Sequence, residues 1–94
     1  MKITTSAPRE DATGFTFDVR VEEGGGESRH TVTLARKDFD RLASGAEDPA
    51  AFVSRCFEFL LAREAKESIL SRFDVSVIGR YFPEFEKTIR ATKS

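Results

Sequence analysis

The sequence predicts an α+β domain. An N-terminal antiparallel β-hairpin or three-stranded meander over about 1–35 precedes three to four helices packed on one face of the sheet. Three observations carry that prediction. The run GFTFDVRVE, Gly14 to Glu22, alternates apolar and polar residues with period two. A glycine-rich turn and a second alternating run follow it, and after Leu34 the apolar spacing becomes helical and stays so.

In the first run Phe15, Phe17, Val19 and Val21 share one face and Thr16, Asp18, Arg20 and Glu22 the other, the pattern of a strand buried on one side. The polar turn EGGGES leads into His30, Val32 and Leu34, which alternate with Thr31 and Thr33 and close the hairpin. Met1 to Thr5 offers a third, edge strand through Met1 and Ile3, because an isolated hairpin is marginal in water. Phe39, Leu42 and Ala43 then fall on one face of a short helix over about 36–44, with Gly45 as its C-terminal cap.

Asp48 and Pro49 mark the clearest boundary in the chain, an N-cap followed by proline at the first helical position. Phe52, Val53, Cys56, Phe57, Leu60 and Leu61 form a broad apolar stripe for the hairpin's inner face to cover. Nothing at Ala65 stops this helix, so the reading extends it over 49–72, with Arg63 and Glu67 spaced as an i,i+4 pair. A bend near 64–67 is the alternative. Asp74 or Ser76 caps a helix over 75–82, and Pro83 opens a last helix over 83–91. Glu84 and Glu86 at its start and Arg90 and Lys93 at its end match the helix dipole.

With 94 residues the expectation is a single domain, 1–94, with one Phe-rich core: nine Phe, one Tyr and no Trp. The formal charge of −1 lacks the electrostatic footprint of a nucleic-acid or membrane-surface binder. Cys56 is the one cysteine and closes no intramolecular disulfide. The start MKITTSAPRE has no signal-like apolar run, and Phe59 to Ala62 is far too short to span a bilayer. A cytoplasmic location is the expectation.

The same residues argue against catalysis. A structural zinc site needs four ligands, and Cys56 and His30 are the only soft or imidazole groups, so neither metal nor cofactor is expected. Cys56 lies in the apolar stripe and reads as a buried, inert thiol. His30, between Arg29 and Thr31, reads as a surface or rim histidine. Gly24, Gly25 and Gly26 join two strands among Glu22, Glu23 and Glu27, which suits a hairpin turn and repels phosphate. Asp38 with Asp40, and Glu84 with Glu86, are spaced i,i+2 and point to different helix faces, so no acid/base dyad forms. No catalytic residue and no small-molecule ligand are inferred.

The stretch ESILSRFDVSVIGRYFPEFE mimics a helix-turn-helix, with DVS as the turn. Arg80 occupies a position that should pack inward, Gly79 weakens the second helix, and Pro83 cuts it to about two turns. DNA reading through 67–90 is therefore the second functional expectation. The first gives this stretch to the core. Ile69, Leu70, Phe73, Val77, Ile78, Phe82 and Phe85 face inward or toward a second subunit, leaving Arg72, Arg80 and Tyr81 as the candidate interaction surface.

The longer run FEFLLAREAKESILSRFDVSVIGRYFPEFE resembles a segment shared by a group of short uncharacterised bacterial proteins. The resemblance implies a bacterial cytosolic protein and carries no activity, cofactor or site residue. The leading expectation is a non-enzymatic protein-interaction module that binds a protein partner or forms a homodimer, because a small sheet has edges that must be covered or paired.

Overall fold

The computed structural model describes residues 1–43 and 47–91; Gly45 and Lys93, assigned above to helix ends, lie outside the described residues. Strands β1 (Lys2–Thr5), β2 (Arg9–Glu10), β3 (Gly14–Glu23) and β4 (Gly26–Ala35) build the antiparallel part of the sheet. The hairpin register pairs Phe15 with Leu34, Phe17 with Val32 and Val19 with His30, which places the apolar residues of both strands on one face. Its loop is two residues long, and Gly24 (φ 61°) and Gly25 (φ 80°) take left-handed conformations that residues with a Cβ adopt at a cost.

The third strand forms as expected. β1 lies antiparallel to β3 with Lys2 opposite Glu22 and Thr5 opposite Val19, and β2 continues along the same edge with Arg9 opposite Thr16. Between them Ser6, Ala7 and Pro8 face only Phe17 and Asp18, so this edge carries a bulge. Pro8 donates no hydrogen bond and is tolerated there because the strand is an edge.

Two helices, α1 (Arg36–Leu42) and α2 (Pro49–Leu61), cover the apolar face. Gly14 allows the close approach at the β4–α1 corner, since a Cβ there would stand 2.2 Å from the Leu34 carbonyl oxygen. The Asp48 carboxylate accepts the Ala51 N–H at 3.3 Å, the N-cap that the sequence announces, with Pro49 in the first turn. α2 buries Phe52, Val53, Cys56, Phe57, Phe59 and Leu60. Thr5 Oγ1 lies 2.8 Å from Ser54 Oγ and ties β1 to this helix.

α2 ends at Leu61 and does not reach residue 72. A 3-10 turn, Lys66–Ser68, and a short segment bent at Ile69 and Ser71 lead into β5 (Arg72–Asp74), which lies parallel to β4 with Thr31 opposite Arg72 and Thr33 opposite Asp74. The strand order is thus β1-β3-β4-β5 with β2 beside β3, a mixed sheet and an α+β fold. The expected Arg63–Glu67 pair does not form. Arg63 instead stacks over the Phe59 ring at 3.6 Å and reaches Glu84, while Glu67 accepts from Lys66. β4 would otherwise end the sheet as a bare edge, and pairing with β5 satisfies it.

Asp74 then caps a 3-10 turn, Val75–Val77, which runs into α3 (Ile78–Tyr81). The last helix is α4 (Phe85–Ala91). The core is continuous from Phe15 and Phe17 through Phe52 and Phe57 to Phe85 and Ile89. No helix among the described residues is long and apolar enough to cross a membrane.

Candidate functional site

Leu70 and Tyr81 are the large apolar side chains that the fold leaves outside, at 49% and 68% exposure, along with the terminal Met1. Both line one apolar groove of about 310 Å³ between the end of α2, the stretch before β5, and α3. Ile69, Phe73 and Ile78 form its buried floor, and Phe82 closes one side. Glu64 is its charged lining residue.

The backbone under Leu70 is fixed by a residue that the sequence misplaces. His30 is not a rim histidine; it is 4% exposed and packs on the Phe57 ring at 5.3 Å between centroids. Its Nδ1 lies 2.7 Å from the Leu70 carbonyl oxygen and its Nε2 2.8 Å from Ser28 Oγ. A carbonyl can only accept, so Nδ1 carries a proton, and in the neutral imidazole Nε2 then accepts from the serine hydroxyl. One residue on, the Thr31 N–H donates to the Ser71 carbonyl at 2.7 Å. Two successive carbonyls are thereby anchored to β4, and the Leu70 side chain is held outward by an ordered backbone.

A serine hydroxyl donating to a histidine oriented by a carbonyl is also how a nucleophile is activated. Neither Ser28 nor His30 lines the groove; what the contacts show is the Leu70 carbonyl tied to β4. Cys56 is 1% exposed, and burial pushes its thiol pKa up, away from the thiolate that reacts. No three His, Cys, Asp or Glu side chains gather as a metal site among the described residues.

The other wall of the groove is set by Asp74. Burial works against ionisation of its carboxyl. Hydrogen bonds from the Thr33 hydroxyl (2.6 Å) and from the Ser76 hydroxyl (2.7 Å) and amide (3.0 Å) outweigh it and hold the pKa below the usual carboxylate range. The carboxylate is therefore occupied in joining β4, β5 and the turn into α3.

All three candidate interaction residues are exposed, and they fall unevenly around the groove. Tyr81 lines it; Arg72 and Arg80 do not, and Arg72, opposite Thr31 in the sheet, faces away from its neighbour Phe73. Leu70, expected to face inward or toward a second subunit, is not in the core and belongs to this surface. Val77 and Phe82 are half-buried, and Ile69, Phe73, Ile78 and Phe85 are buried as expected. The helix-turn-helix geometry is not formed: residues 67–74 supply a 3-10 turn and a strand where a first helix is required, and α3 is four residues long.

Comparison with known protein families, curated proteins and solved structures finds no match to this chain.

Proposed function

We propose that the protein is a cytoplasmic protein-interaction module that acts by binding rather than by catalysis, with the Leu70–Tyr81 groove as its docking surface. One observation supports this reading above the others. Two large side chains that the core leaves exposed converge on a single apolar groove, and the backbone beneath one of them is pinned by His30. Exposed apolar side chains scattered singly are ordinary, but a pair rimming a shaped cleft on an ordered backbone resembles a recognition site.

Site-specific photo-crosslinking in expressing cells tests it. A photoreactive residue at position 70 or 81 is expected to give a discrete adduct that the same residue at Thr4, on the open face of the sheet, does not give. Adducts indifferent to position, or none from 70 and 81, would remove the groove as the docking surface. An adduct of twice the chain's mass, together with a dimer by light scattering, would make the partner a second copy.

A further inference from the structure

We infer that the groove takes an extended peptide segment carrying an apolar anchor flanked by acidic residues, and that this segment adds a strand to the outer edge of β5. The inference rests on the docking role proposed above and specifies its partner.

The first ground is the edge itself. β5 is the last strand of the sheet, and the Thr31 N–H bonds to the Ser71 carbonyl while Thr31 stands opposite Arg72. In a parallel ladder that register sends the bonds of Thr31 to the residues on either side of Arg72, so the N–H and C=O of Arg72 turn outward. The opposite edge of the sheet is blunted by the Ser6–Pro8 bulge, whereas β5 has neither proline nor bulge. An outward-facing strand edge beside an apolar cleft is the arrangement that strand addition uses: the main chain supplies hydrogen bonds, and a pocket takes an alternate side chain.

The second ground is charge. Each arginine from Arg9 to Arg63 stands within salt-bridge distance of a carboxylate. Arg72 and Arg80 have no such acid among the described residues, and the nearby Asp74 carboxylate is taken by Thr33 and Ser76. Arg72, paired with Thr31, lies on the open face of the sheet, and a strand added at this edge whose anchor enters the groove turns the residues beside the anchor to that open face, where acidic side chains complement Arg72.

The third ground sets aside a second copy as occupant. A two-fold contact on this patch would gather the Arg72 and Arg80 side chains of both copies in one interface. It would also need about 800 Å² from each partner, far more than a groove beside a three-residue strand presents.

Display of a random-peptide library on the intact protein tests the inference, with Leu70→Asp as the blocked-groove control and Arg72→Glu/Arg80→Glu as the charge-reversed protein. All three changed positions are exposed, so the variants are expected to fold, which circular dichroism checks. The wild type should enrich sequences with an apolar residue flanked by Asp or Glu, the Leu70→Asp protein should lose them, and the reversed protein should enrich Lys or Arg in their place. Charge reversal should weaken a selected acidic peptide by about tenfold or more. A scan of single N-methylations along the peptide should do the same at the position whose N–H donates to the Arg72 carbonyl if a strand is added, and indifference means that no position in the scan weakens binding.

Enrichment unchanged by Leu70→Asp, a basic consensus on the wild type, or indifference to N-methylation would overturn the inference. So would a dimer that Leu70→Asp dissolves. If apolar sequences without acidic flanks are selected while crosslinks from positions 70 and 81 persist, the acidic-segment inference fails and the docking groove stands. If those crosslinks are also missing, both fail.

Discussion

Two parts of the helical layer are built from the same materials, phenylalanine and arginine, and reach opposite ends. Where α4 docks, Phe85 and Ile89 are each 1% exposed, and Phe85 meets Phe59 edge-on at 5.1 Å between ring centroids. Arg41 reaches Glu86 at 2.7 Å, Arg63 reaches Glu84 at 3.2 Å, and Arg55 donates to the Ile89 carbonyl at 2.8 Å while holding Glu47 at 2.6 Å. At the β5–α3 groove the aromatic ring of Tyr81 stays in solvent, and Arg72 and Arg80 have no acid within salt-bridge distance among the described residues. The contrast shows that exposed apolar surface here is not a shortage of covering material. The fold seals one seam and leaves another open.

The largest expected effect lies in the closed seam. Phe85→Ala should cost about 3–5 kcal/mol in chemical denaturation, because it deletes a fully buried ring and leaves a cavity that the α2–α4 contact cannot collapse around. A loss near zero would make that seam as loose as the groove and dissolve the contrast. Arg55→Met should cost about 1.5–3 kcal/mol, since it removes the charged hydrogen bonds from Arg55 to Glu47 and to the Ile89 carbonyl in a site where the Arg55 and Glu47 side chains are 15% and 12% exposed.

A smaller effect depends on pH. The hydrogen bond from Arg41 holds the Glu86 carboxyl below its ordinary pKa. A carboxyl depressed in the folded state contributes stability above its unfolded pKa, about 4.3, and loses it as pH falls through the lower folded value. Thermal melts of Glu86→Gln should therefore lose less stability than the wild type on acidification below about pH 4. Because Glu86 is half-exposed, the difference should be modest. Parallel acid profiles for the two proteins would remove this pair from the seam.

The smallest stability effects belong to the groove. Leu70→Ser and Tyr81→Ser should each change stability by no more than about 0.5 kcal/mol, as exposed positions do. A loss of several kcal/mol at either would show that the side chain is core.

The sequence makes the closed parts legible and the open part less so. The β3–β4 hairpin is readable because its period-two alternation is strict, and the start of α2 because Asp48 and Pro49 are local signals. The end of α2 has no glycine or proline to announce it. It is fixed by a non-local event, the capture of residues 71–74 by the edge of β4, and β5 is too short for periodicity to register. Leu70 reads as facing inward or toward a second subunit, and the core takes its neighbour Ile69 and leaves Leu70 outside. His30 reads as a surface or rim histidine from its neighbours Arg29 and Thr31, but the structure buries it. Its spacing from Val32 and Leu34 already places it on the inward face, and Ser28 continues the same alternation. The exposure of Arg72, Arg80 and Tyr81 was legible, while their relation to a groove depends on how α3 and β5 fold together.

Tyr81 is the chain's single tyrosine and there is no tryptophan, so its fluorescence reports the groove without interference. Collisional quenching by acrylamide is the most direct test of an open, occupiable site. The account predicts that Tyr81 in the folded protein is quenched nearly as readily as a free tyrosine amide at every protein concentration, and is shielded when a groove ligand binds. A Tyr81 shielded in the folded monomer, or one still freely quenched once a partner is bound, would contradict it.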